Sequence, residues 1–68
     1  MKKLLAKLDR NTLVALAVKQ NELVDEIRGY KSGMTADMLG IFTDKELIDL
    51  FVKTEKAFGL NTAQTLLG

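Results

Sequence analysis

The chain contains neither cysteine nor histidine, which removes the Ser-His and Cys-His pairs of nucleophilic catalysis and leaves carboxylates for acid-base work. Glu22, Asp25 and Glu26 cluster at helical spacing. With no apolar neighbour to perturb them, they read as the solvated acidic side of a surface helix. No loop of the type that calcium requires accompanies them, and the glycines are too scattered to cradle a phosphate. No catalytic residue, metal or cofactor is therefore expected. The remaining charged cluster is basic. Lys2, Lys3, Lys7 and Arg10 surround Leu4, Leu5 and Leu8, an amphipathic segment of about two turns that suits contact with an anionic partner.

A chain of 68 residues holds a single domain, and it lies below the size at which one core comfortably outweighs chain entropy. Disulfides and Cys/His metal sites are excluded by composition, so packing or a partner surface must stabilise it. A hydrophobic fraction of 47% is enough to bury apolar surface, unlike a disordered tail. The formal net charge is +1, which argues against a general nucleic-acid coat. Charge is nonetheless uneven: residues 1 to 20 hold five basic side chains against one acidic, whereas residues 21 to 68 hold five basic against eight acidic. A dipolar molecule follows.

The opening Met1 to Leu8 begins like a signal peptide, but Lys7 interrupts its apolar run and no small-residue cleavage site follows. No other run approaches the roughly 18 apolar residues of a membrane span. A cytoplasmic protein is the expectation. The composition also fits small proteins of bacteria and their phages or mobile elements.

The elements that must position these groups are helical. Proline is absent, and Gly29, Gly33, Gly40 and Gly59 supply the breaks. Thr43 and Glu46 make a capping box and Phe42 with Leu47 a hydrophobic staple. Beyond them Leu47, Leu50, Phe51, Thr54 and Phe58 recur every three or four residues up to Gly59, which predicts a helix over 44–58. A second long helix is expected over about 12–30, with Leu13, Leu16, Ala17, Leu23, Val24, Ile27 and Tyr30 on one face. Shorter helices are expected at 2–8, 35–39 and 62–67, the last started by an Asn61/Gln64 box. The expected architecture is all-α, an antiparallel hairpin of the two long helices closed by the short ones.

Each long helix carries a second apolar stripe. Val14 and Val18 lie roughly 100° to 140° from Leu13, and Ile48 and Val52 share that offset from Leu47. A two-helix hairpin buries one stripe per helix, so these four need another surface. Leu4, Leu5, Leu8, Leu66 and Leu67 can supply it from within the chain; a second copy or a partner protein can supply it from outside. Met34, Met38, Ile41 and Phe42 add a flexible apolar patch between the long helices.

The segment Ala36 to Ile41 resembles the turn region of helix-turn-helix repressors, where a small residue is followed four positions later by glycine, as Ala36 is by Gly40. The family's next apolar position falls on Glu46, with Leu47 one residue late. The helix in the recognition position opens with Asp44, Lys45, Glu46 and Asp49, the wrong sign for phosphates. Thr43 to Asp49 is also similar to the helical hairpins of small bacterial sporulation regulators, but lacks the contiguous Ser-Gln-Glu-Leu-Asp motif of the phosphatases among them.

The expected function is therefore that of a small non-catalytic protein-interaction module, a regulatory, inhibitory or assembly factor. Its contact residues are Val14, Val18, Ile48, Val52, Met34, Met38 and Phe42, with self-association as a homodimer favoured. The alternative is a small DNA-binding regulator whose basic N-terminal segment meets the phosphates. Nucleic acid is not the expected partner.

Overall fold

The computed structural model describes residues 2–67, and the backbone alone for 66 and 67. It is all-α, with five helices among the described residues: α1 Lys2–Ala6, α2 Arg10–Arg28, α3 Ala36–Leu39, α4 Asp44–Phe58 and α5 Thr62–Leu67.

The capping chemistry explains the boundaries. Both halves of the α4 capping box form: the Glu46 amide donates to Thr43 Oγ1 at 3.1 Å and the Thr43 amide to Glu46 Oε1 at 2.9 Å. At the other end Gly59 takes a φ of 63°, a left-handed conformation that favours glycine. Helix α2 starts at Arg10, before the expected position of about 12, because the Asp9 carboxylate caps it by accepting from the Thr12 amide at 3.2 Å. It ends at Arg28 against left-handed Gly29, so Tyr30 lies beyond it. Helix α1 is shortened to Ala6 by two tight i→i−3 bonds, from the Lys7 amide to Leu4 and from the Leu8 amide to Leu5.

The core gathers Leu5 of α1, Leu13, Leu16 and Ala17 of α2, Leu39 of α3, Leu47 and Phe51 of α4 and Ala63 of α5. Every helix thus contributes to one cluster. Helix α2 is its hub, packed against α3, α4 and α5, while α1 packs against α4.

The antiparallel hairpin is corrected by the order of contacts between α2 and α4. Arg10, at the start of α2, reaches Asp44, at the start of α4, over 2.7 Å. Midway, Gln20 Nε2 donates to the Phe51 carbonyl at 2.9 Å. At the far ends the Arg28 guanidinium sits 5.2 Å from the centre of the Phe58 ring. Start meets start and end meets end, so the two helices run in the same direction. The connection through residues 29 to 43 makes this possible. A helix of fifteen residues is about 22 Å long, a distance that extended backbone covers in about seven residues. The non-helical run from Lys31 to Thr35 supplies most of that return. Asn21 and Asp25 hold the run along α2: Asn21 Nδ2 donates to Ser32 Oγ at 2.8 Å, and the Ser32 amide donates to Asp25 Oδ2 at 3.1 Å.

Candidate protein-interaction surface

The second stripes sit at the edge of the core. Val14, Val18, Ile48 and Val52 are all half-buried and packed against the central cluster, as are Met34 and Phe42. These residues therefore split their surface between core and solvent. The share of cover expected from Leu66 and Leu67 lies outside the described side chains.

The patch around α3 is more open. Ile41 is 82% exposed and Met38 49%. Together with Met34, Asp37 and Phe42 they line a shallow depression of about 360 Å³. Local sequence makes it so. Thr35 caps a helix of four residues by accepting from the Met38 amide at 3.3 Å, Leu39 points inward at 2% exposure, and the turn through Gly40 leaves Ile41 outside.

A second exposed apolar area lies on the apolar face expected of α2. Its first half is buried through Leu13, Leu16 and Ala17, but Leu23, Ile27 and Tyr30 are exposed, and only Val24 stays buried near that end. Leu50, part of the apolar repeat of α4, is exposed as well. Tyr30 and Met34 border a depression of about 620 Å³ between α2 and the connection, lined also by Asn21, Asp25, Glu26 and Lys31.

The basic cluster is divided by the fold. Lys2 pairs with Asp49 at 3.3 Å. Arg10 is spent within the chain, its guanidinium donating to Asp44, to the Gly40 carbonyl at 2.6 Å and to the Phe42 carbonyl. Lys3 and Lys7 are exposed and have no ion pair among the described residues.

The acidic trio is divided too. Glu22 pairs with Lys19 at 3.4 Å, Asp25 serves Ser32 and Glu26 is exposed. Asp25 Oδ1 is buried with no hydrogen-bond partner among the described groups. Among the described residues no cluster of carboxylates is placed to hold a metal ion, and no helix is long and apolar enough to cross a membrane. Two carboxylates titrate low, both through capping. The side chain and backbone of Thr12 hold Asp9 below its ordinary value, and the Thr43 amide and hydroxyl do the same for Glu46.

Sequence reasoning missed the burial of Thr62 beside Glu55 and the buried polar residues Gln20 and Glu55, at 4% and 5% exposure. Their signal is positional: Gln20 stands four residues from both Leu16 and Val24, and Glu55 four from Phe51 and three from Phe58. A polar residue on an apolar stripe needs a buried partner. Gln20 finds it in α4. Glu55 finds it in α5, accepting from the Ala63 amide at 3.2 Å and the Thr62 hydroxyl at 3.3 Å. This replaces the Asn61/Gln64 box expected to start α5.

Comparison with protein-family models, with curated proteins and with solved structures finds no match to this chain.

Proposed function

We propose that the protein is a small interaction module that acts by protein contact, as a regulatory, inhibitory or assembly factor, through the apolar patch at Met34, Met38, Ile41 and Phe42. The observation that carries the reading is the exposure of Met38 and Ile41 around one depression. Full burial of an isoleucine side chain stabilises by about 1.5–3 kcal/mol. A chain this short, without cysteine to form a disulfide, leaves that free energy unused at Ile41. Contiguous apolar surface of this kind is what a protein partner covers. Methionine adds adaptability, since its unbranched side chain refits to different shapes. The occupant favoured here is a second copy of the chain.

Light scattering across a hundredfold range of concentration tests the proposal, with Ile41→Asp and Met38→Asp as variants. The wild type is expected to gain mass with concentration. Both variants are expected to stay monomeric, with helicity unchanged and stability within about 0.5 kcal/mol of the wild type, as for exposed positions. A wild type that remains monomeric throughout excludes self-association, and the patch is then tested against partner proteins.

The DNA-binding alternative gains no support from the site. Helix α3 has four residues, a single turn in the place of the first helix of a helix-turn-helix, and Asp44 at the start of α4 is tied to Arg10.

A further inference from the structure

We propose that α5 is a displaceable cover, which opens about Gly59 to Asn61 while α1 to α4 stay folded, and that the buried carboxylate of Glu55 is the group that holds it shut. Three features of the fold lead to this. A helix of six residues is far too short to persist on its own, so its formation depends on what it docks against. Among its described side chains, Thr62 and Ala63 are the buried ones, and it packs on α2. The Ala63 amide and the Thr62 hydroxyl at its start are met by a residue of another helix. Glu55 is 5% exposed, no lysine or arginine nitrogen lies within ion-pair distance of it among the described residues, and both its oxygens accept from the start of α5.

A buried carboxylate without a counter-charge relies on such hydrogen bonds, and the first turn of a helix is where a negative charge is best placed. The Glu55 contact and α5 therefore form and break together. The link between α4 and α5 is short, and its Gly59 and Leu60 amides bond to the Glu55 carbonyl of α4 and not to α5. Gly59 adopts a φ of 63° with open space around it.

Opening withdraws Ala63 from the cluster that contains Leu13, Leu16 and Ala17. Leu16, Leu23 and Ile27 lie within about 40° of one another around α2 at 100° per residue. The exposed end of that face, at Leu23 and Ile27, would then be joined by Leu16 to give a longer docking surface. This consequence rests on the protein-contact reading; the opening itself does not.

Native-state hydrogen exchange on the full chain, at a concentration where its mass is that of a monomer, tests the proposal. The amides of Ala63 and Thr65 are expected to exchange at least about tenfold faster than those of Val24 and Phe51 after correction for intrinsic rates, through an opening insensitive to low denaturant. Glu55→Gln keeps size and removes the charge; Thr62→Val keeps shape and removes one donor. Each is expected to speed exchange in α5, E55Q by about tenfold, with the α2 and α4 amides unchanged. Equal protection of α5 and the core in the wild type overturns the proposal. So does an E55Q variant that leaves α5 protection intact, or one that loosens α2 and α4 equally. A wild type that never self-associates but opens at α5 would sink the favoured dimer and leave the cover standing.

Discussion

Asp9 and Glu46 act at the level of single hydrogen bonds, and both give the stability a pH dependence of known sign. Each has a folded value held below its ordinary 3.8 or 4.5 by donors at a helix start. Such a group binds fewer protons folded than unfolded, so its contribution is complete above the ordinary value and is lost as pH falls through the lowered one. The melting temperature followed by circular dichroism is therefore expected to be flat above about pH 5 and to decline as pH falls below about 4.5. Glu46→Gln should melt lower at neutral pH and show a shallower decline, because it lacks one of the two titrating caps. A variant that declines as steeply as the wild type would remove Glu46 from the account. Both side chains are fully exposed, so the effect comes from hydrogen bonding at the helix ends and not from burial.

Between elements, the relation that matters is that of α2 to α4, and Gln20 is its interior tie. Gln20→Ala removes a buried amide that bonds the Phe51 carbonyl and leaves a small void, a combination expected to cost about 1–3 kcal/mol in urea unfolding. A loss under 0.5 kcal/mol would mean that apolar packing alone sets the pairing. This is also where sequence reading reaches its limit. Helix types, the α4 capping box and the breaks at Gly29 and Gly59 were legible because each depends on residues within one turn. The direction of α4 relative to α2 was not. It depends on Ser32 bonding back to Asp25 and Asn21 and on Arg10 crossing to Asp44, contacts between residues far apart in sequence with no local periodicity. The site divides the same way. That Met34, Met38, Ile41 and Phe42 form an apolar patch in the connection was legible from their types; that Met34 and Phe42 pack half-buried against the core while Met38 and Ile41 stay exposed was not. The exposure of Leu23, Ile27 and Leu50 was not, because the periodicity that marks a face says nothing of how far along the helix a partner element reaches.

At the scale of the molecule, compactness and surface point in different directions. A radius of gyration of 11.1 Å is that of an ordinary folded chain of this length, for which scaling gives about 10.9 Å. The accessible surface of 4683 Å² exceeds the roughly 4,250 Å² that scaling gives for 7.5 kDa. The chain is closed in outline but grooved in detail, as its depressions beside α2 and α3 indicate. Self-association would recover part of that excess and would couple stability to concentration. A partner present at a hundredfold excess over its dissociation constant stabilises by about 2.7 kcal/mol, and 1 kcal/mol moves the melting point of a domain this size by about 4–8 °C. The wild type melted at about 5 µM and about 500 µM should therefore differ by several degrees if the dissociation constant falls in that range. Ile41→Asp should melt at one temperature at both concentrations, close to that of the dilute wild type. Equal melting points for the wild type at both ends, beside a monomeric mass, would show that the core of Leu5, Leu13, Leu16, Leu39, Leu47 and Phe51 holds the chain unaided and that the α3 patch awaits a different protein. A shift that persists in Ile41→Asp would instead move the self-contact to the exposed end of α2, where Leu23→Asp and Ile27→Asp should then abolish it.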